Sequence, residues 1–180
     1  MMVGNFNTVR SQFVIVQGIA ELNKKRITNF DFYFVGKRTQ NLESLYDDCV
    51  RYCEQNKLDN VHFLGARDDV PSLLKSADGF VYSTNSDTFG IAVVEAMAAG
   101  VPVIVNDWAV MKEITKDGKW ATLFKTEDVE DCANAIEDLL NNLEARKADA
   151  QEIAKQVRKE YSIEKHIERL DNIYRLVIGC

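Results

Sequence analysis

The chain has 180 residues, of which 46% are hydrophobic and 28% are charged, with only 2 prolines and a net charge of -6. These values describe a single globular domain with a sizeable core and exclude a disordered chain. The negative charge also argues against nucleic acid as a partner, because binding to a phosphate backbone requires a basic surface.

No apolar run approaches the ~20 residues of a membrane-spanning helix, and the first residues lack the pattern of a secretory signal. A soluble, cytoplasmic protein is therefore expected. The cysteines agree with this, because Cys49, Cys53 and Cys132 fall on apolar helical stripes where buried thiols are typical. No further Cys or His pair lies near Cys49 and Cys53, so a zinc site is not expected.

Short apolar segments alternate with helical patterns along the whole chain. The predicted strands lie near 2–5, 30–35, 61–64, 79–82, 102–105 and 119–123. The predicted helices lie near 8–24, 41–56, 70–76, 91–99, 109–114, 127–143, 146–159 and 163–178. This alternation is typical of parallel βαβ units. It predicts an α/β fold with a Rossmann-like, doubly wound parallel sheet of about six strands and helices on both faces.

In such a sheet, ligands bind beyond the carboxyl ends of the strands. Nearly all of the chemically suggestive side chains lie in the five segments that leave those ends: 5–10, 36–38, 65–69, 83–90 and 106–113. The two histidines lie elsewhere, His62 within a strand and His166 in the last helix, and structural roles are favoured for both.

The segment 83–103 is the most informative part of the chain. A polar loop leads into the run 91–99, in which eight of nine residues are apolar, so this helix is predicted to be buried nearly all round. Glu95 is the exception, and a lone buried carboxylate is unfavourable unless another group pairs with it. Pairing with a core arginine or with backbone amides therefore stands as an alternative to ligand binding.

The start of the same helix favours an anion. The amides of Phe89, Gly90 and Ile91 lie at the positive end of the helix dipole, and Gly90 lets a ligand approach the backbone closely. A simple N-cap from one of residues 86–88 is compatible with such a site. We expect a phosphate at the helix tip, with ribose hydroxyls as natural partners for the carboxylate of Glu95.

The run D-T-F-G-I-A-V-V-E-A-M-A-A-G-V-P-V-I, which begins at Asp87, resembles the E-x7-E region of retaining glycosyltransferases of the GT-B fold, particularly glycosyltransferase family 4. Three further segments resemble that family in the same order, V-H-F-L-G at 61–65, A-D-G-F-V at 77–81 and K-E-I…D-G at 112–118. The resemblance extends from about Met2 to Tyr174.

The resemblance implies that the chain is the C-terminal, nucleotide-sugar-binding half of a GT-B enzyme. Such an enzyme transfers a sugar from a nucleoside-diphosphate donor to an acceptor hydroxyl, as in glycan or polysaccharide synthesis, without a bound metal. It also implies that an N-terminal, acceptor-binding half is missing, so we expect the 180 residues to bind a donor without transferring its sugar.

The resemblance also implies roles for individual residues. Glu95 stands at the second glutamate of the family motif, which holds the ribose hydroxyls, and Asp87 stands at the first, which contacts the donor sugar. The amides of 89–91 match those near the diphosphate and the sugar. Arg67, with Leu73 beyond it, falls in the region that flanks the base.

This chain departs from the family at two places. Asp87 replaces a glutamate, which shortens the reach of the carboxylate by one carbon–carbon bond, about 1.5 Å. In place of the family's G-R-x4-K, Gly4 is followed by Asn5 and then by Arg10. Arg10 still offers a fixed cation to the diphosphate, whereas Asn5 offers a neutral amide. Either a cation from 37–38 compensates, or the diphosphate is held more weakly.

The implied catalytic residues are thus Arg10, which stabilises charge on the leaving diphosphate, and Asp87, which positions the donor. Three other functions fit parts of the pattern. Half of a sugar-nucleotide epimerase is one, and a nucleotide-binding regulatory module without catalysis is another. A flavodoxin-like receiver would need an acidic cluster after the first strand, where Asn5 and Asn7 stand.

The last predicted helix carries an apolar stripe. In the GT-B family the C-terminal helix packs on the N-terminal half. Here the stripe is expected to pack on this domain's own surface, to be mobile, or to be buried in a homodimer, because a long exposed apolar face is unfavourable for a monomer. The stripe consists of Ile163, Ile167, Leu170, Tyr174 and Val177.

Overall fold

The computed structural model describes residues 1–179, apart from the side chain of Glu43. Within that range six strands alternate with helices, and two further helices follow. The strands are β1 (Met2–Val3), β2 (Phe32–Val35), β3 (Val61–Gly65), β4 (Phe80–Tyr82), β5 (Val103–Asn106) and β6 (Thr122–Phe124). The helices are α1 (Gln12–Lys24), α2 (Glu43–Asn56), α3 (Val70–Ser76), α4 (Ile91–Ala99), α5 (Ala109–Ile114), α6 (Val129–Asn141), α7 (Leu143–Glu160) and α8 (Ile163–Ile178).

All strand pairs are parallel, and they form two three-stranded ladders in the orders β1-β2-β3 and β4-β5-β6. Two hydrogen bonds join the ladders. The amine of Met1 donates to the carbonyl oxygen of Gly79 at 2.8 Å, and the amide of Val81 donates to the carbonyl oxygen of Met1 at 2.9 Å. The strands therefore run in the order 3-2-1-4-5-6, which confirms the predicted Rossmann-like sheet. The order reverses between β1 and β4, where such folds bind their ligands.

The helices form two groups. Helix α1 packs against α2 and α6, whereas α4 packs against α3 and α7. The core between them is lined by large side chains that are fully buried, among them Phe34, Phe80, Tyr82 and Phe124. Strands β4 and β5 are buried at every position, so the sheet is covered on both faces there, as the sequence pattern predicted.

Helix α1 begins four residues later than the pattern predicts, because residues 7–10 form a turn instead. The amides of Val9 and Arg10 donate to the side chain and to the backbone oxygen of Asn7, respectively, both at 3.2 Å. Arg10 then pairs with Thr84 in an isolated antiparallel bridge. Asparagine competes with helix formation through such local hydrogen bonds.

Helix α4 is not buried all round, so that prediction was wrong. Val93, Ala96 and Met97 are buried, whereas Glu95 is exposed and Ile91 is 65% exposed. Residues 91 and 95 are one turn apart and share a face, which remains open to solvent. The hydrophobicity of the helix indicates how much apolar surface it has but not whether another element covers that surface.

Helix α8 has no buried residue, and its apolar stripe does not pack on this domain. Ile163 is 64% exposed and Tyr174 is 59% exposed. The side chain of Ser162 caps its start by accepting from the amide of Lys165, and Arg169 pairs with Glu160 of the preceding helix. Among residues 1–179 no helix is both long and apolar enough to cross a membrane.

For the 180-residue chain with a free amino terminus, the buried amine of Met1 predicts a pH-dependent stability. Burial lowers the pKa of this amine from 8.0 to about 5, although the nearby Asp78 raises it. The unfolded chain therefore binds a proton between pH 8 and pH 5 that the folded chain does not. The free energy of unfolding should be largest above pH 8 and should fall by about 4 kcal/mol by pH 5, at about 1.36 kcal/mol per pH unit.

Urea unfolding of the free and the amino-acetylated chain from pH 5 to pH 8.5 tests this. The acetylated chain keeps an N–H donor for Gly79 but has no amine to titrate. We expect the two stabilities to converge above pH 8 and to separate below it, with the free chain less stable. If the free energies of unfolding of the two chains changed in parallel with pH, the lowered pKa of the Met1 amine would be contradicted.

Candidate donor site

Two loops meet at the reversal of strand order, beyond the carboxyl ends of β1 and β4. The amide of Ser11 donates to the oxygen of Ser83 at 3.0 Å, and the amide of Asn85 donates to the oxygen of Val9 at 3.1 Å. The hydroxyl of Thr84 also donates to the oxygen of Val9, at 2.5 Å. These bonds bring Arg10 next to the loop that leads into α4.

The carboxylate of Asp87 is the centre of this arrangement. Its Oδ2 accepts from Nη1 of Arg10 at 3.0 Å and from the hydroxyl of Tyr82 at 2.5 Å. Its Oδ1 accepts from the amides of Thr88 at 2.8 Å, Phe89 at 3.3 Å and Gly90 at 3.3 Å. Both oxygens therefore have protein donors, and two of the amides predicted to face a phosphate point to this carboxylate.

These donors fix the ionisation of the site. Burial raises the pKa of Asp87. The Tyr82 hydroxyl, the Arg10 charge and the amides of 88 and 89 lower it by more than burial raises it, so the pKa lies below its ordinary value. Burial also raises the pKa of Tyr82, and its hydrogen bond to Asp87 adds to that effect. At neutral pH the carboxylate is thus ionised and the phenol retains the proton that it donates.

The guanidinium of Arg10 lies over the ring of Tyr82, with Cζ 5.0 Å from the ring centroid. Its Nε is buried without a hydrogen-bond partner, and Nη2 makes no hydrogen bond to any of residues 1–179. Gly4 makes room for this side chain, because a Cβ at that position would lie 3.1 Å from Nε. Gly4 and Arg10, predicted as neighbours in one motif, are therefore in contact.

Asn5 links the first two strand ends. Its side-chain oxygen accepts from the amide of Lys37 at 2.9 Å, and its backbone oxygen accepts from Gln12 at 3.2 Å. The carboxamide oxygen is therefore engaged with the loop after β2. Arg38, one of the two candidates for a compensating cation, pairs with Asp47 instead.

Glu95 lies on the exposed face of α4, one turn beyond Ile91. Within residues 1–179 its carboxylate has no ion pair and no hydrogen bond, so neither the core arginine nor the backbone amides considered from the sequence pair with it. Phe89 is 45% exposed and packs edge-on against Tyr161, with ring centroids 6.0 Å apart. The open face at the tip of α4 thus has a carboxylate and apolar surface.

Arg67 and Leu73, expected to flank the base, are placed differently. Arg67 donates twice to the carboxylate of Asp69, at 2.8 and 2.7 Å, and this pair lies at the surface before α3. Leu73 lines a cavity of about 400 Å³ that includes Met1 and Gly79, at the amino ends of β1 and β4. The structure therefore brings Leu73 to a cavity at the opposite ends of these strands from Asp87.

Two further residues of the site were not identified from the sequence. Asn106 ends β5 and is fully buried; its side chain accepts from the amide of Thr84 at 3.0 Å and donates to the oxygen of Thr84 at 2.8 Å. Tyr82 ends β4. The available signal was a polar side chain at the last position of an apolar strand, where a buried hydroxyl or amide needs a partner.

In the described part of the chain, no three His, Cys, Asp or Glu side chains gather in a way that could hold a metal ion. Arg10 supplies a cationic group beside the start of α4 through its pair with Asp87, whereas Lys37 is exposed in the loop after β2.

Comparison with solved structures supports the fold. A glycosyltransferase from Rickettsia africae matches 98% of this chain with a TM-score of 0.88 at 16% identity, and the match covers 47% of that protein. Anabaena HepE, solved in complex with UDP and glucose, matches 96% of this chain with a TM-score of 0.82 at 18% identity, over 47% of its own length.

Sequence relatives agree. A glycosyltransferase of Methanocaldococcus jannaschii is 27% identical over 97% of this chain and 47% of its own length. The N-acetyl-alpha-D-glucosaminyl L-malate synthase of Bacillus anthracis is 28% identical over 96% of this chain and 44% of its own length. This chain thus spans less than half the length of these relatives.

The model of the family described as "Glycosyl transferases group 1" matches residues 1–169, which is nearly the whole chain. On that match, the chain belongs to the family of group 1 glycosyl transferases.

Proposed function

We propose that this chain is the donor-binding half of a retaining glycosyltransferase of the family 4 type, and that its ligand is a nucleoside-diphosphate sugar. One observation carries the proposal. The bridge between Arg10 and Thr84 places a fixed guanidinium beside the tip of α4, at the reversal of strand order where Rossmann-like folds bind nucleotides. The UDP found in Anabaena HepE, a protein of the same fold, supports this class of ligand.

In this proposal the ligand lies along α4. Arg10 binds the diphosphate through Nη2, which has no protein partner among the described residues, and the carboxylate of Glu95 accepts from the ribose hydroxyls. Asp87 holds Arg10 and orders the amides of 88–90. The sugar then extends from the diphosphate past the open face at Phe89.

The proposed chemistry follows from these charges. The bond between the anomeric carbon and the diphosphate breaks, and the diphosphate takes the electron pair. The acceptor oxygen forms a bond to the anomeric carbon on the same face, and its hydroxyl proton passes to an oxygen of the departing diphosphate. Arg10 stabilises the negative charge that grows on the diphosphate, which is the kind of electrostatic term that dominates many enzymes. We propose that no divalent metal takes part.

The acceptor would bind to a second half, which we propose as the partner of α8. The support is the apolar stripe of α8, which is exposed, together with the fact that this chain matches less than half of its relatives' length. A second copy of the chain could cover the same stripe, and this is the competing arrangement.

Nucleoside diphosphates and their sugars should stabilise the chain against heat. At a ligand concentration of about ten times Kd the gain is about 1.4 kcal/mol, or a few degrees in Tm. A thermal-shift panel of UDP, GDP, ADP and their common sugar conjugates measures this. A melting temperature that does not change at millimolar ligand would contradict the proposal. Equal stabilisation by nucleotides with and without a sugar would favour the nucleotide-binding regulatory module.

The variant Glu95→Gln distinguishes an effect on ligand binding from an effect on the stability of the fold. It removes a charged acceptor, so nucleotide affinity should fall by about 1.5–3 kcal/mol, whereas the melting temperature of the free protein should hold because Glu95 is exposed and unpaired within residues 1–179. The matched control is Glu54→Gln, which changes an exposed carboxylate on α2 and should leave affinity unchanged. Normal binding by Glu95→Gln would exclude the ribose role.

Hydrogen exchange tests the proposal for α8. At low protein concentration the amides of α8 should exchange faster than those of α4 and α6, because no residue of α8 is buried. Light scattering on the same samples gives the mass. Protection of α8 in a dimer would identify a second copy as its partner, and core-like protection in a monomer would contradict the exposed position.

A further inference from the structure

Tyr82 lies behind the candidate donor site, as the last residue of β4. Its side chain is fully buried, and its ring stacks on that of Phe80 with centroids 6.1 Å apart and an interplanar angle of 14°. It makes two contacts with the site. The ring face is under the Arg10 guanidinium, and the hydroxyl donates to Oδ2 of Asp87.

Asp87 needs a second anchor because its side chain is short. Its Oδ1 is engaged with the amides of its own loop, 88–90, so the orientation of the carboxylate depends on what holds Oδ2. Arg10 donates to Oδ2, but its side chain is 20% exposed and its Nη2 is the nitrogen available to a ligand. The hydroxyl of Tyr82, on a rigid ring within the core, is the donor that a ligand does not reach.

We propose that Tyr82 is a positioning residue of the donor site: its hydroxyl fixes the Asp87 carboxylate, and its ring supports the Arg10 guanidinium, so that Arg10 faces the diphosphate. The inference rests on the proposed function, which it deepens. Tyr82 touches neither the donor nor the reacting atoms. It acts through Asp87 and Arg10, and it supplies the fixed geometry that the shorter carboxylate would otherwise lack.

The plain alternative is that Asp87 only satisfies a buried phenol. That role would concern stability alone, since a buried hydroxyl without an acceptor is unfavourable. The two roles differ in what Tyr82→Phe does. The variant keeps the ring, its stacking on Phe80 and its contact with Arg10, and it removes only the donor to Asp87.

The first measurement needs no ligand. Titration of the Asp87 carboxyl carbon by NMR should show a higher pKa in Tyr82→Phe than in the unchanged chain, because a hydrogen bond that lowers the pKa is lost. Exchange of the amides of 88–90 should become faster. The control is Tyr52→Phe, which alters a ring on α2 away from the site and should change neither quantity.

The second measurement compares UDP with UMP by calorimetry. Tyr82→Phe should weaken UDP binding by about threefold to tenfold, because the lost hydrogen bond to the ionised Asp87 acts on the ligand only through Arg10. It should weaken UMP binding less, because the second phosphate depends on Arg10. An unchanged titration of Asp87, or UDP affinity that is unchanged or tighter, would overturn the proposal. If the unchanged chain binds no nucleotide, the proposed function fails, while the titration still decides whether Tyr82 holds Asp87.

Discussion

One carboxylate, that of Asp87, joins the loop after β1, where Arg10 lies 77 residues away in the sequence, to the last residue of β4 and the start of α4 on either side of it. Five donors converge on its two oxygens, which is about as many as a carboxylate can accept. Because the group is ionised and partly withdrawn from water, each donor is held in place by the charge. The orientation of the Arg10 guanidinium and of the amides of 88–90 therefore depends on this side chain.

The rest of the edge supports that centre. Asn106 clamps both backbone groups of Thr84, and Thr84 in turn binds the loop that contains Arg10. The pair of Arg10 and Asp87 has side-chain exposures of 20% and 11%, so it is shielded from solvent more than a surface ion pair. The pair contributes more to the placement of the two side chains than to net stability, because the cost of withdrawing both charges from water offsets much of their attraction. Removing either member would still be unfavourable, because the other charge would lose its partner in a partly buried place.

The elements that the sequence predicted well are those whose pattern is local. Helices α3, α4, α5 and α8 have the predicted bounds, because apolar periodicity is a signal within a few residues, and Gly100 ends α4 in the left-handed conformation. The start of α1 was misplaced because the Asn7 turn competes with the helix. The prediction that α4 is buried all round was wrong because hydrophobicity does not identify which element covers a helix. Since Glu95 is exposed, the argument that a buried carboxylate needs a partner no longer applies to it.

The site was predicted in part. The meeting of Arg10 and Asp87 follows from strand order, which the alternation of elements indicates. Tyr82 and Asn106 were missed because their polar atoms bind groups 5 and 22 residues away, and nothing in their own neighbourhood indicates those partners. Arg67 is engaged with Asp69, two residues along, which a motif alone does not reveal.

The central claim is that a nucleoside diphosphate binds at the tip of α4 beside Arg10. The most direct measurement is a titration of the isotopically labelled chain with UDP, followed through the backbone amides and the Nε resonance of Arg10. The account predicts the largest shifts at Arg10, 88–91 and Glu95, with little change around Leu73 and the cavity at the amino ends of the strands. Shifts confined to that cavity, or spread evenly over the surface, would contradict it.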